Sequence, residues 1–161
     1  REAILNETLC PDPMANAPGM TALKAPTLAD FTGTWNLTRV IDDHRTQSTG
    51  RFEGIARYLP DENGLSYVET GQLYLPGQPP FQAERRYRWR DVAGVIHVEF
   101  DDGRFFHSFG ATCPNATHWC DPDTYHVTYD FADWPVWHST WKVSGPRKAY
   151  KMVNAYTRSE S

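Results

Sequence analysis

From Phe31 to Arg158 the chain alternates apolar and polar residues with a period of two, and clusters of Gly, Pro, Asn and Asp cut it at near-regular intervals. Successive side chains of a strand point to opposite faces, so this pattern describes half-buried strands. The segments read as 33–41, 51–58, 65–75, 81–90, 95–100, 104–109, 125–131, 137–143 and 149–158, about nine in all. Asp101-Asp102-Gly103 is a hairpin turn, and Pro60-Asp61-Glu62-Asn63-Gly64 is another, with Gly64 supplying a positive φ. No helical pattern of useful length follows residue 31, and no solenoid repeat is visible. Many short strands at even spacing point to an all-β antiparallel barrel or sandwich, against a helical or alternating α/β fold.

The 161 residues fit one domain and suffice for a core without staples. Residues 1–30 read as an irregular arm or a cloning remnant, because 11–19 is rich in Pro, Ala and Gly. Within it, Thr27 is the N-cap of one short helical turn over 28–31. The barrel domain is 31–158 and the tail 159–161. Aromatics make up 14% of the chain, and wide rings suit strands and can line a cavity. A net charge of -4 argues against nucleic acid as a partner. No run of about 18 apolar residues is present, so no membrane span is expected. Three cysteines, Cys10, Cys113 and Cys120, are too few and odd in number for a disulfide framework, so the chain is read as cytoplasmic.

Phe31-Thr32-Gly33-Thr34-Trp35 resembles the Gly-x-Trp opening of the lipocalin-like (calycin) barrels. In those barrels the Trp closes the floor and a basic residue of the last strand packs across it. The resemblance implies that Arg158, in Tyr156-Thr157-Arg158, is that partner through a cation–π contact. Three further segments carry a second likeness: Asp102-Gly103-Arg104-Phe105-Phe106-His107, His118-Trp119-Cys120-x-Pro122-Asp123-x-Tyr125 and Gly145-Pro146-Arg147-Lys148-x-Tyr150. They are similar to a family of small bacterial and fungal domains of unknown function, over about residues 31–158. Together the resemblances imply an up-and-down lipocalin-like β-barrel and no particular activity, so function has to come from the residues.

Alternation assigns the inward faces. Phe81, Ala83, Arg85, Tyr87 and Trp89 share one face of their strand, and Gln82, Glu84, Arg86, Arg88 and Arg90 share the solvated one. An inward guanidinium needs a partner, and Glu69, beside Tyr67, Gly71 and Leu73 on the neighbouring strand, is the expected one. The pair reads either as a structural ion pair or as an anion site in which Arg85 holds an acidic or keto group. His107 stands between Phe105 and Phe109, either as a core residue or as a general acid–base near neutrality. His118 falls in a loop spanning Cys113 to Asp123, where zinc and a Cys113–Cys120 disulfide are weaker readings than free thiols on a rim. Tyr125 and Tyr129 share a face, as do Tyr150, Met152, Asn154 and Tyr156.

Two functions follow. In the first, the barrel encloses a small, partly apolar organic molecule bearing a carboxyl or carbonyl group, with Tyr67, Tyr87, Trp89, His118, Tyr125, Tyr129 and Tyr150 around it. In the second, the same cavity belongs to a cofactor-free cyclase, isomerase or lyase. There Arg85 with Tyr87 polarises a carbonyl and Glu69 or His107 moves a proton. Neither reading calls for a metal or cofactor, and a homodimer is compatible with both.

Overall fold

The computed structural model describes residues 25–110 and 114–159. Ten antiparallel strands form one sheet: β1 (Gly33–Asp43), β2 (Ser48–Asp61), β3 (Gly64–Tyr74), β4 (Phe81–Val92), β5 (Val95–Phe100), β6 (Phe105–Phe109), β7 (Asn115–Cys120), β8 (Asp123–Asp130), β9 (Trp137–Ser144) and β10 (Ala149–Arg158). Every strand pairs with its neighbours in sequence except β6 with β7, and β1 pairs with β10, which curls the sheet into a nearly closed up-and-down barrel. Its two ends, β6 and β7, face each other across a seam without a paired ladder.

Two differences from the sequence reading have local causes. The stretch read as a loop between Cys113 and Asp123 is largely strand β7, which pairs with β8 from Asn115 opposite Thr128 to Cys120 opposite Asp123. Its polar outer residues and flanking Pro114 and Pro122 hide a strand whose inward side chains are only Ala116 and His118, so the count is ten strands, not nine. The second is a β-bulge. Val98 pairs with His107 but Glu99 pairs with Phe105, which leaves Phe106 as the extra residue. A bulge turns two consecutive side chains toward one side. Phe106 and His107 therefore both point inward, which is why strict alternation could not assign this strand.

The floor follows the sequence closely. Thr27 caps a short 3-10 turn over Leu28–Phe31, in which the Thr27 N–H donates to the Asp30 carboxylate at 2.8 Å. The turn drives Phe31 into the barrel, where its ring lies 5.0–5.8 Å from those of Trp134, Trp89, Trp137, Tyr58 and Phe131. Trp35 is fully buried and donates its indole N–H to the Phe31 carbonyl at 2.8 Å. The Arg158 guanidinium stacks 3.9 Å over the Trp35 ring and donates to the carbonyls of Thr32 and Asp30.

Higher up, Gly54 and Gly71 oppose each other on β2 and β3. A Cβ on Gly71 would lie 2.3 Å from the Glu53 carbonyl oxygen and 2.6 Å from the Gly54 Cα. Only glycine allows this close approach. It also leaves room for the Phe52 ring, which stacks 5.0 Å from the Arg39 guanidinium inside the barrel. Among the described residues, no helix is long and apolar enough to cross a membrane.

Candidate functional site

Half-way up the barrel the inward faces stop being apolar. Trp35, Leu37 and Arg39 alternate along β1 with their side chains inside, so Arg39 is delivered to the centre by the same period that buries Trp35. Its guanidinium grips the Glu69 carboxylate with two hydrogen bonds, of 2.8 and 2.9 Å. Its Nε donates to Asn154 Oδ1. Asn154 in turn donates to Ser139 Oγ at 3.0 Å. The Tyr67 hydroxyl donates to Glu69 at 2.6 Å and bonds the Tyr156 hydroxyl at 2.9 Å. Glu69, Arg39 and Asn154 are 2%, 5% and 1% exposed, so the pair is desolvated and its remaining polar atoms are met by side chains.

These partners fix the protonation states. Burial alone raises the Glu69 carboxyl, but the Arg39 charge and hydrogen bonds, the Tyr67 hydroxyl and the Arg85 charge outweigh it, and the group sits below its ordinary value. Burial likewise works against the Arg39 charge, and Glu69 more than restores it. The Tyr67 and Tyr156 hydroxyls are pushed up, first by burial and then by the nearby carboxylate. At neutral pH the cluster is therefore a carboxylate, a guanidinium and neutral phenols.

Arg85 is where the sequence reading placed it, inward and directly opposite Glu69 in the β3–β4 ladder. The expected Arg85–Glu69 ion pair is not formed, because Glu69 is taken by Arg39. Among the described residues Arg85 makes no ion pair. Its half-buried guanidinium lies against the Tyr87 hydroxyl and 5.9 Å from the centre of the Trp141 ring. With Arg39 and Arg85 positive and Glu69 negative, this layer of the barrel carries one net positive charge.

Seven of the ten candidate residues, Tyr67, Glu69, Arg85, Tyr87, Trp89, His107 and Tyr129, line one small cavity of about 20 Å³. That is space for one water-sized group. A wide-open groove of about 460 Å³ at the barrel rim, between β4 and the β5–β6 turn, shares Arg85 and Tyr87 with it and is lined further by Arg86, Phe100, Asp101, Asp102 and Arg104, of which Asp102 and Arg104 pair with each other. Arg85 thus stands between the sealed interior and the open rim.

His107 is fully buried, with Nε2 2.8 Å from the Tyr129 hydroxyl. Burial, reinforced by His118, pulls its pKa down to about 3. At that value the ring is neutral across the physiological range, which favours the core-residue reading over general acid–base work near neutrality. His118 is on strand β7 and not in a rim loop, is 4% exposed, and has its pKa lowered by burial. Its ring packs 5.3 Å from Phe106. Tyr125 packs 5.6 Å from Phe106, and Tyr150 is half-buried at the rim; neither lines the cavity. Cys120 is an exposed free thiol, Cys10 and Cys113 lie outside the described residues, and no group of metal ligands occurs among the described ones.

Sequence reasoning missed Arg39, Asn154, Ser139, Tyr156 and Trp141. The signal for Arg39 was present, since it shares the Trp35–Leu37 face. Its partners depend on register: the closure of β1 onto β10 sets Arg39 opposite Asn154, and Glu69 lies two strands away, on the far side of β2.

No curated protein and no solved structure matches this chain. The model of a family of unknown function (DUF6314) matches residues 31–158, the whole span of the barrel from Phe31 to Arg158, and the chain belongs to that family.

Proposed function

We propose that this protein binds a small, partly apolar organic molecule through a carboxylate or carbonyl held by Arg85, at the upper end of a lipocalin-like barrel. The observation that carries this is the state of Arg85: inward, half-buried and, among the described residues, without an ion-pair partner while Glu69 is committed to Arg39. An uncompensated inward cation is costly unless something anionic or strongly accepting completes it. The interior cavity has no room for an organic molecule, so the ligand body rests in the rim groove and only its polar head reaches the Arg85 level. In this reading the protein is a cytoplasmic carrier or sensor.

The alternative is a cofactor-free cyclase, isomerase or lyase in the same place. Binding is the better supported of the two, because both proposed proton carriers are held away from neutrality, Glu69 as a carboxylate and His107 as a neutral ring. An efficient general acid or base has a pKa near the working pH.

Isothermal titration with a series of small carboxylates tests the reading. Charge-assisted hydrogen bonds contribute about 1.5–3 kcal/mol, so Arg85→Met weakens the best binder by about tenfold or more. Equal affinity in both proteins, with the fold intact by circular dichroism, rejects Arg85 as the anchor.

A further inference from the structure

We infer that the ligand of this site is a planar aromatic acid, one ring system carrying one carboxylate; this rests on the Arg85 reading above and narrows it. The walls around Arg85 differ from the rest of the barrel. At the floor the rings are sealed against each other, with Phe31, Trp35, Tyr58 and Trp137 at most 1% exposed. Around Arg85 the inward rings of Tyr87, Phe100 and Trp141 are only partly covered. These faces belong to a core that the chain leaves unfinished on the side of the rim groove.

Tyr87 and Phe100 are cross-strand partners on β4 and β5, and both line the groove, with their rings tilted 43° to each other. Phe106, re-aimed by the bulge, lies at 23° to the Tyr87 ring, with centroids 6.0 Å apart. Phe100 is already covered by Phe106 at 4.7 Å and by the Arg104 guanidinium at 5.1 Å, so Tyr87 is the ring a planar guest can lie against, at the offset spacing that aromatic pairs prefer. Trp141 backs the Arg85 guanidinium at 5.9 Å, beside Tyr87. The same position serves both parts of such a ligand, its ring on Tyr87 and its carboxylate on Arg85. A flexible alkyl chain makes less of it, since it loses rotamer freedom on docking and has no face to stack.

Three probes separate the possibilities by isothermal titration against the full chain: 2-naphthoate, decanoate and 2-naphthamide. 2-Naphthoate binds at least about tenfold more tightly than decanoate, and Arg85→Met weakens it by about tenfold. Tyr87→Leu, which keeps the site apolar but removes the ring, weakens 2-naphthoate by about threefold to tenfold and leaves decanoate unchanged. Tyr87→Met is the second variant should Tyr87→Leu fail to fold, and it gives the same split. Decanoate binding as tightly as 2-naphthoate, with both lost in Arg85→Met, overturns the aromatic inference and leaves the carboxylate site standing. 2-Naphthamide binding as tightly as 2-naphthoate overturns the acid and leaves a carbonyl on Arg85 standing; no binding by either acid or by the amide overturns both.

Discussion

Replacing Glu69 by Gln should be among the most damaging single changes in this molecule, and the reason lies in Arg39. The carboxylate accepts two hydrogen bonds from Arg39 and one from Tyr67, and both ionic partners are almost completely buried. In the variant the guanidinium stays in the barrel without its counter-charge and faces an amide that must offer one donor group to it. Stranding one member of a buried pair costs about 3–5 kcal/mol, while replacing both members by apolar residues of similar size is often neutral or stabilising. Against a typical total of about 5–15 kcal/mol, the single change removes a large share of the stability. With a urea slope of about 2 kcal/mol/M, the unfolding midpoint falls by about 2 M. Arg39→Met should do similar damage, because it leaves the carboxylate uncompensated beside Tyr67. The double variant Arg39→Met with Glu69→Leu should be more stable than either single one, the sign of coupling in a double-mutant cycle. Chemical denaturation followed by tryptophan fluorescence reads all three. A loss under about 1 kcal/mol for Glu69→Gln, or single effects that simply add in the double variant, would falsify the description of the centre as a desolvated ion pair.

The same logic predicts two further outcomes. His107 has its folded pKa pulled down to about 3, against an ordinary value of 6.5, so the unfolded chain binds more protons between those values. Its contribution is whole above about pH 6.5 and is lost as pH falls toward 3, at up to about 1.4 kcal/mol per pH unit; His107→Gln should flatten that part of a stability–pH profile measured by urea melts. Gly71→Ala puts a methyl 2.3 Å from the Glu53 carbonyl oxygen and 2.8 Å from the Phe52 ring, so it should lower stability by about 1–3 kcal/mol, seen as a lower thermal midpoint; an unchanged midpoint would mean that β2 and β3 do not approach this closely.

The parts of this fold that the sequence displays are those governed by period and by turn chemistry. Phe81 to Trp89 alternates cleanly, and Arg85 and Tyr87 lie inside as that alternation requires. Asp101-Asp102-Gly103 closes its hairpin, and Trp35 meets Arg158 across the floor. What stayed hidden was decided by one-residue shifts and by closure. The bulge at Phe106 breaks the period that would have assigned β6, and β7 carries too few inward apolar residues to announce itself. Register hid the rest. Arg85 and Glu69 do face each other across the ladder, so pairing them was sound as far as two strands go. Arg39 reaches the same carboxylate from β1, over the intervening strand β2, a pairing that shows only when three strands and their registers are laid side by side.

That substitution of one arginine for another is what separates the stabilising part of the interior from the part available for binding. At the Arg39–Glu69 layer the two charges are matched, and below it aromatic rings fill the space down to Phe31. Had Arg85 been the partner of Glu69, both would belong to a satisfied core, and the barrel would offer a ligand no inward cation. Because Arg39 neutralises Glu69, Arg85 has no counter-ion among the described residues, in a position that borders both the small interior cavity and the open rim groove. A half-buried cation among partly covered rings lowers stability relative to an apolar residue of the same size. Local departures of this kind from what would be best for folding are expected where a protein binds or reacts. On the proposed reading the ligand meets the rim beside Arg85, while the buried network beneath it commits the Glu69 carboxylate to Arg39 and Tyr67.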